Sequence, residues 1–243
     1  FEQVYSINDV QAFLTTGDES LLQAQDIEAI QPENLTGFEL GIAQDFGDVL
    51  AAKATTYYNL YNNFIGFTEV ARPGNDTSAA ESFANGNFQQ LRVPLNSNTP
   101  VSTAGFSLDL TFKIIPELFL FTNYNFNRLI TNTEDDDLIP GFNTPENAVI
   151  VGVRGVKMAD LINFELRWHY NQGFFWESPF ATGPVPAWHT LDGNVSVNIE
   201  KLNSTIAVGG SNLYNNRHIE AFGAATIGGF YYIKYVYEFK FKK

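Results

Sequence analysis

The sequence predicts an all-β fold, an antiparallel transmembrane β-barrel, from two stretches of strict alternation and from the order of the loop lengths. In Tyr231–Phe241 one parity is entirely aromatic or aliphatic, while the other parity includes Lys234, Glu238 and Lys240. Ile162–Asn171 repeats this pattern, with Ile, Phe, Leu, Trp and Tyr alternating with Asn, Glu, Arg, His and Asn. A period of two places the two sets on opposite faces of a β-strand. Strands that cross a membrane in a barrel have this character over about 9–11 residues.

Alternation of the same kind recurs along the chain and predicts about nine strands in all. The predicted strands are Thr36–Phe46, Leu50–Phe64, Ala104–Ile114, Leu118–Phe126, Val149–Val153, Ile162–Asn171, Leu191–Ile199, Ile206–Val208 and Tyr231–Phe241. Their connections alternate in length: short turns lie at Gly47, Pro116, Lys157 and Glu200, and long loops begin at Phe67, Arg128, Gly173 and Ser211. Outer-membrane barrels show this order because their periplasmic turns are short and their extracellular loops are long.

The segments between the strands lack a period of two. Residues 1–34 are predicted to be an extracellular loop segment, in which Gln3–Leu14 forms either a short helix or irregular structure, and residues 35–243 are predicted to be barrel. Phe67–Asn87 is predicted to be a loop because its sequence RPGNDTSAAES is rich in turn formers. Gln89–Leu95 is expected to leave that loop as a ribbon.

Composition narrows the class of protein. Aromatic residues make up 15% of the chain and charged residues only 17%, below the roughly 25% of ordinary soluble domains. A net charge of −13 argues against a nucleic-acid partner. The chain has no Cys, which excludes a disulfide framework and a thiolate zinc site. No apolar run is long enough for a transmembrane helix.

Three motifs carry a resemblance to a known family. They are SNLYNNRHIEAFGAATIGGFYYIKYVYEFKF at Ser211–Phe241, IQPENLTGFELGI at Ile30–Ile42 and IPGFNTPENAVIVGV at Ile139–Val153. Together they resemble TonB-dependent outer-membrane receptors of the Bacteroidetes type. The resemblance implies a barrel of about 22 strands closed by an N-terminal plug domain. This chain would supply about nine C-terminal strands of that barrel, without the plug.

The resemblance also implies a function. A receptor of this family would sit in the bacterial outer membrane and import a scarce nutrient with TonB-coupled energy. Its cargo would be an iron chelate, cobalamin, an oligosaccharide or a peptide. The implied partners are outer-membrane lipid, the rest of the barrel and its plug, the TonB complex, a small nutrient ligand and a surface lipoprotein. No cofactor and no nucleic acid are expected.

Two groups of residues are candidates for contact with the cargo. The first is predicted to face the barrel lumen, because its members share the polar parity of their strands: Asn163, Glu165, Arg167, His169, Asn171, Asp192 and Asn194. The second lies in a long loop and is predicted to contact the ligand, since exposed aromatic rings favour binding: Phe174, Phe175, Trp176, Phe180 and Trp188. The alternative for these rings is that they pack the loops onto one another. Glu165 and Arg167 are expected to pair across to neighbouring strands.

Other interpretations stay open. Nine strands would leave Thr36–Phe46 and Tyr231–Phe241 as open edges, which other polypeptide must close because unpaired backbone groups cannot face lipid. The alternative is a self-contained barrel of about ten strands, structural, porin-like or adhesive, in which residues 1–34 add one more strand. A membrane-bound enzyme finds no support, since the sequence has no G-x-S-x-G, H-E-x-x-H or Walker motif. Glu134–Asp137 is either a Ca²⁺ site or a solvated acidic loop, and the absence of EF-hand spacing favours the loop.

Overall fold

A computed structural model describes residues 3–131, 138–178 and 180–239. The described chain is almost entirely β-structure, with two short α-helices. The strands are β1 Val4–Ser6, β2 Ala24–Gln25, β3 Asn34–Phe46, β4 Leu50–Asn62, β5 Ile65–Pro73, β6 Phe88–Asn96, β7 Val101–Ile115, β8 Leu118–Leu129, β9 Asn147–Met158, β10 Ile162–Asn171, β11 Phe174–Glu177, β12 Thr182–Val185, β13 Trp188–Ile199, β14 Ser204–Ser211 and β15 Phe230–Tyr237. The helices are α1 Ile7–Thr16 and α2 Ala79–Ala84, and 3₁₀ turns lie at Glu19–Leu21 and Glu200–Leu202.

Nine strands form one antiparallel sheet in the order β15-β14-β13-β10-β9-β8-β7-β4-β3. Each of the nine predicted strands is present in it, and the prediction of an antiparallel barrel wall is confirmed. The sheet is not closed within the described residues, so β3 and β15 are its two edges. The ten-strand alternative needed a strand from residues 1–34 in this sheet. Instead, β1 pairs with β5 in a separate sheet.

The register gives the sheet one apolar and one polar face, because directly paired residues point to the same side. Leu166 pairs with Val153 and Gly193, whereas Arg167 pairs with Gly152 and Asp192. Followed across the sheet, the apolar face includes Phe38, Leu40, Leu108, Val151, Leu166, Val195, Val208 and Ile233. The polar face includes Glu39, Lys53, Asp109, Asn123, Arg154, Glu165, Arg167, Asp192, Asn194 and Lys234.

The two ends of the sheet differ in their connections. At one end the strands join through the tight turns 47–49, 116–117, 159–161 and 200–203, as predicted. One of these turns is held by a side chain: Asn163 Oδ1 accepts a hydrogen bond from Lys157 N at 2.9 Å. At the other end the connections are the long segments 63–100, 130–146, 172–187 and 212–229. The long segments therefore share one end of the wall.

The prediction that Phe67–Asn87 is an irregular loop is wrong. The segment holds most of β5 and all of α2, and β5 pairs with β6 along its whole length. The predicted ribbon at Gln89–Leu95 is confirmed as β6. Together with β1, β2 and α1, these elements form a small unit beside the wall, which we call the hairpin unit (Val4–Gln25 and Ile65–Asn96). Its four-stranded sheet has the order β2-β1-β5-β6.

The hairpin unit has its own hydrophobic core, built half from the N-terminal segment and half from the connection between β4 and β7. The core residues are Tyr5, Val10, Phe13, Ala71, Ala80 and Phe83. Tyr5 and Phe83 meet edge to face, with ring centroids 5.3 Å apart. The N-terminal segment therefore contains packed secondary structure as well as loop. Of the two structures predicted for Gln3–Leu14, the helix is present from Ile7 onward, after the short strand β1.

Local sequence explains where α1 begins and ends. Ser6 Oγ accepts from Asn8 N at 3.3 Å at the N-terminus of the helix. Gly17 ends it in a left-handed conformation with φ 73°, which glycine adopts without steric cost. Just beyond, Ser20 donates from its hydroxyl and its backbone N–H to Asp18 Oδ1, and these bonds lower the pKa of the Asp18 carboxyl. No described helix is long and apolar enough to cross a membrane.

Candidate functional site

The residues predicted to face a lumen lie together on the polar face of β10 and β13. Register places Glu165 opposite Asn194, Arg167 opposite Asp192 and Asn171 opposite Trp188. Asn163 and His169 belong to the same parity of β10. A common face is what the predicted lumen-facing set requires, and it follows from an alternation that β10 keeps without interruption.

Polar side chains on this face approach one another along a strand as well as across strands. Arg167 Nε lies 3.1 Å from Glu165 Oε1, two residues away on the same strand. The two residues therefore pair with each other along β10, whereas pairs across to neighbouring strands were expected. Residues two apart on a strand lie on one face within reach of a long side chain. Across the strands, His169 Nε2 lies 3.4 Å from Asp192 Oδ2.

Asp192 also reaches the loop that follows β14. Its Oδ1 accepts hydrogen bonds from Ser211 Oγ at 3.0 Å and from Asn212 N at 2.8 Å. One carboxylate thus joins β10, β13 and the start of the last long loop. The alternation in β13 predicts Asp192 on the polar face, but nothing in the sequence signals this second role, because the partner lies across a hairpin.

The predicted ligand-contact loop contains a two-stranded hairpin, β11–β12, in place of irregular structure. Its aromatic residues divide into two groups. Phe175 and Phe180 are exposed, with 57% and 97% of their surface accessible. Phe174 and Trp176 are half-buried, with ring centroids 6.4 Å apart. Phe175 and Phe180 are therefore free of loop packing over much of their surface, whereas Phe174 and Trp176 pack within the hairpin.

Trp188 stands apart from the other four rings because it begins β13 and shares the polar face with Asn171. Its indole stacks on the His218 imidazole, with centroids 4.3 Å apart and ring planes 20° apart. His218 comes from the last long loop, so the stack closes that loop onto the end of the wall. His218 Nδ1 is 2.9 Å from Asn216 O, and its Nε2 is 3.6 Å from Glu220 Oε1.

The long segments at this end are joined to one another by polar contacts. Asn143 Nδ2 donates to Glu177 O, and Asn143 Oδ1 accepts from Glu177 N, both at 2.7 Å. Arg92 of β6 forms an ion pair with Glu69 at 2.5 Å and also donates to Ser178 O. Asn143 lies in the FNTP part of a motif noted in the sequence, whereas Arg92 had no local signal, since its partners are distant in the chain.

The described residues contain no group of three or more His, Asp or Glu side chains able to hold a metal ion. The acidic run Glu134–Asp137, weighed above as a Ca²⁺ site, lies outside the described residues. The chemistry of the described site is therefore that of hydrogen bonds, paired charges and aromatic rings.

Comparison with known proteins agrees with this architecture. The family model described as "TonB dependent receptor-like, beta-barrel" matches residues 5–213. No curated protein matches the sequence.

Solved structures with the same fold include three receptors or transporters. The siderophore receptor PirA from Acinetobacter baumannii has a TM-score of 0.60 at 15% identity, covering 86% of this chain and 32% of its own. The copper transporter OprC has a TM-score of 0.55 at 14% identity, covering 79% and 27%. The ferric-catecholate import receptor Fiu from E. coli K12 has a TM-score of 0.54 at 14% identity, covering 84% and 28%. This chain spans about a third or less of each, and at these identities the likeness concerns the fold.

Proposed function

This chain belongs to the TonB-dependent receptor β-barrel family, and from that membership we propose that it forms part of the wall of a nutrient importer in the bacterial outer membrane. In this proposal the apolar face contacts outer-membrane lipid and the polar face lines the lumen. The long segments point out of the cell and the tight turns point to the periplasm. Residues 1–34 and the hairpin unit are extracellular. The observation that carries the proposal is the predominantly apolar face that all nine strands of the sheet share.

The exposure of that face supports contact with lipid. Leu40, Ile42 and Ile233 have 72%, 70% and 82% of their surface accessible. An apolar surface this continuous would be unfavourable in water, whereas in a bilayer it meets hydrocarbon. The opposite face carries both signs of charge, including Arg167 and Asp192, and suits a hydrated passage.

For the cargo we propose a small polar nutrient that binds at the extracellular end of the wall. The related structures are named as receptors or transporters for siderophores, ferric catecholates and copper, which makes an iron chelate the first candidate here. Cobalamin, an oligosaccharide and a peptide are the others. The rings of Phe175, Phe180 and Trp188 supply stacking surface for such a cargo, and the polar face below supplies hydrogen bonds.

The remaining partners follow from the family. Import against a gradient needs energy, which TonB would deliver through a plug domain. The rest of the barrel would pair with the open edges β3 and β15, because unpaired strand edges cannot face lipid. A surface lipoprotein could dock on the extracellular side, where the hairpin unit stands. A catalytic role is not part of the proposal.

Equilibrium binding tests the proposed site. The full-length receptor is titrated with a ferric catecholate, a copper complex, cobalamin, an oligosaccharide and a peptide. For the cargo that binds, Trp188→Ala or Phe180→Ala is expected to weaken binding at least tenfold, about 1.4 kcal/mol. Phe46→Ala is the matched control, since Phe46 is an exposed ring at the tight-turn end. Equal affinity in all variants would remove the aromatic site from the proposal.

A further inference from the structure

The motif SNLYNNR at Ser211–Arg217 forms a compact set of contacts between the last long loop and the wall. The loop enters it directly from β14, and Asn212 has a left-handed backbone with φ 52°. Only 2% of Asn212 is exposed, which makes it one of the most buried polar residues in the described chain. A buried amide needs hydrogen-bond partners, since an unsatisfied one would destabilise the fold.

The Asn212 side chain finds both partners on one residue. Its Oδ1 accepts from Asn216 N, and its Nδ2 donates to Asn216 O, each at 2.9 Å. Asn216 Nδ2 in turn donates to His189 O on β13 at 2.8 Å. Segment 212–216 is thus folded back on itself and fastened to the strand that begins with Trp188.

Three further contacts hold the same segment, two of them to the wall and one to the far end of its own loop. Asp192 Oδ1 accepts from Asn212 N at 2.8 Å. Leu213 N donates to Leu191 O at 2.7 Å. At the far end of the loop, Gly229 N donates to Asn215 Oδ1 at 2.9 Å. Both ends of the loop are therefore bound to the motif.

These contacts also position His218, the first aromatic residue after the motif. Asn216 O is hydrogen-bonded to Asn212 Nδ2 and also lies 2.9 Å from His218 Nδ1. The Asn212 amide therefore fixes the carbonyl group that orients the imidazole, and the imidazole stacks on Trp188. Two backbone hydrogen bonds between His218 and Ile227 fix the main chain that carries the imidazole.

We propose that Asn212 is a positioning residue. Its two hydrogen bonds to Asn216, which we call the clasp, hold the last loop against β13 and thereby position His218 against Trp188. The role of this stack in cargo binding rests on the proposed function, but the clasp itself does not. The chain supplies a matched control in Asn203, at the opposite end of the same β13–β14 hairpin. Asn203 is also left-handed, with φ 45°, but its side chain makes no hydrogen bond to the described residues.

The experiment uses ¹⁹F NMR of the full-length receptor labelled with 5-fluorotryptophan, without cargo. The Trp188 resonance is assigned by its loss in Trp188→Phe. Because the ring current of a stacked imidazole changes the chemical shift of the indole fluorine, His218→Ala is expected to move the Trp188 resonance. Glu220→Gln shows how far the neighbouring carboxylate contributes to that position.

Glycine accepts a positive φ, so Asn212→Gly removes the two side-chain bonds without adding backbone strain. We expect Asn212→Gly to move the Trp188 resonance toward its position in His218→Ala, and Asn203→Gly to leave it in place. Asn212→Asp keeps the acceptor for Asn216 N but replaces the donor to Asn216 O with a second acceptor, so it is expected to displace the resonance as well. It also serves as the second variant if Asn212→Gly does not assemble. A wild-type position of the resonance in either Asn212 variant would overturn the proposed role of Asn212. Failure of cargo binding with the resonance in its wild-type position would count against the proposed function alone.

Discussion

Leu213 packs against Gly193: Leu213 Cδ1 lies 3.2 Å from the position that a Cβ on Gly193 would take. Gly193 pairs directly with Gly210 on the neighbouring strand, and a Cβ on Gly210 would lie 2.9 Å from Leu213 Cδ2. Two facing glycines therefore leave a notch on the apolar face, and the leucine of the SNLYNNR motif fills it. Packing of Leu213 into this notch explains why glycines occupy two facing positions on the apolar face.

Alanine in the notch should destabilise the barrel, and more so at Gly210 than at Gly193. A Cβ on Gly210 would lie 2.7 Å from Phe230 O, a backbone atom that cannot turn aside, whereas Gly193 is bounded by the leucine side chains of Leu166 and Leu213. We expect Gly210→Ala to lower the free energy of unfolding by about 1–3 kcal/mol. Guanidinium unfolding of the full-length receptor in detergent measures it. Gly41→Ala is the control, because its Cβ would make only an ordinary contact at 3.6 Å; an equal loss there would contradict the notch.

A charge introduced on the apolar face should destabilise the barrel far more than the loss of a charge on the polar face. Leu166→Arg is expected to destabilise the barrel by about 2–4 kcal/mol near the middle of the bilayer. Arg167→Leu should cost less than about 1 kcal/mol, because the Arg167–Glu165 pair is partly exposed. The yield of heat-resistant folded receptor in outer membranes compares the two. Equal effects on assembly would reverse or remove the assignment of faces.

How much of this architecture the sequence predicts depends on what each strand faces. β10 was predicted with the bounds that it has, because one side is wholly apolar and the other wholly polar. β5 was missed because Val70 and Ala71 are both buried, although they are neighbours that point to opposite faces. A strand covered on both faces shows no period of two.

The candidate site divides in the same way. Membership of the polar face follows from parity, so Glu165, Arg167 and Asp192 could be placed from the sequence. Their partners could not, because the Asp192–Asn212 contact and the Trp188–His218 stack depend on how a long loop folds back. The motif SNLYNNR was visible as a string of residues, but the burial of Asn212 that gives it a role appears only in three dimensions.

The sidedness of the connections predicts which positions react on intact cells. A membrane-impermeant maleimide should label a cysteine introduced at Pro184 or Glu220, and should not label one at Asp48, Glu117 or Lys201. Glu220 is preferred to Asn215 as the loop position, because Asn215 holds Gly229 and its replacement would disturb the loop. The receptor without an introduced cysteine gives the background. Labelling of the second set on intact cells would invert the proposed topology.

Disrupting the core of the hairpin unit should open that unit without lowering the stability of the wall. Phe83 is 1% exposed and lies edge to face with Tyr5, so Phe83→Ala is expected to remove about 3–5 kcal/mol from the unit. Trypsin should then cleave after Arg92 in intact cells, while the barrel stays heat-resistant. Leu14→Ala, on the exposed side of α1, is the control. Protection of Arg92 in both variants would show that the core does not hold the hairpin.

If this chain is part of the wall of a TonB-dependent importer, a radiolabelled cargo, first a ferric catecholate, should enter cells whose only receptor for it is the full-length protein. Uptake is expected to saturate with cargo concentration and to be lost when TonB is deleted. Uptake that rises linearly with concentration and is unchanged without TonB would contradict membership of an importer, because a passive pore behaves in that way.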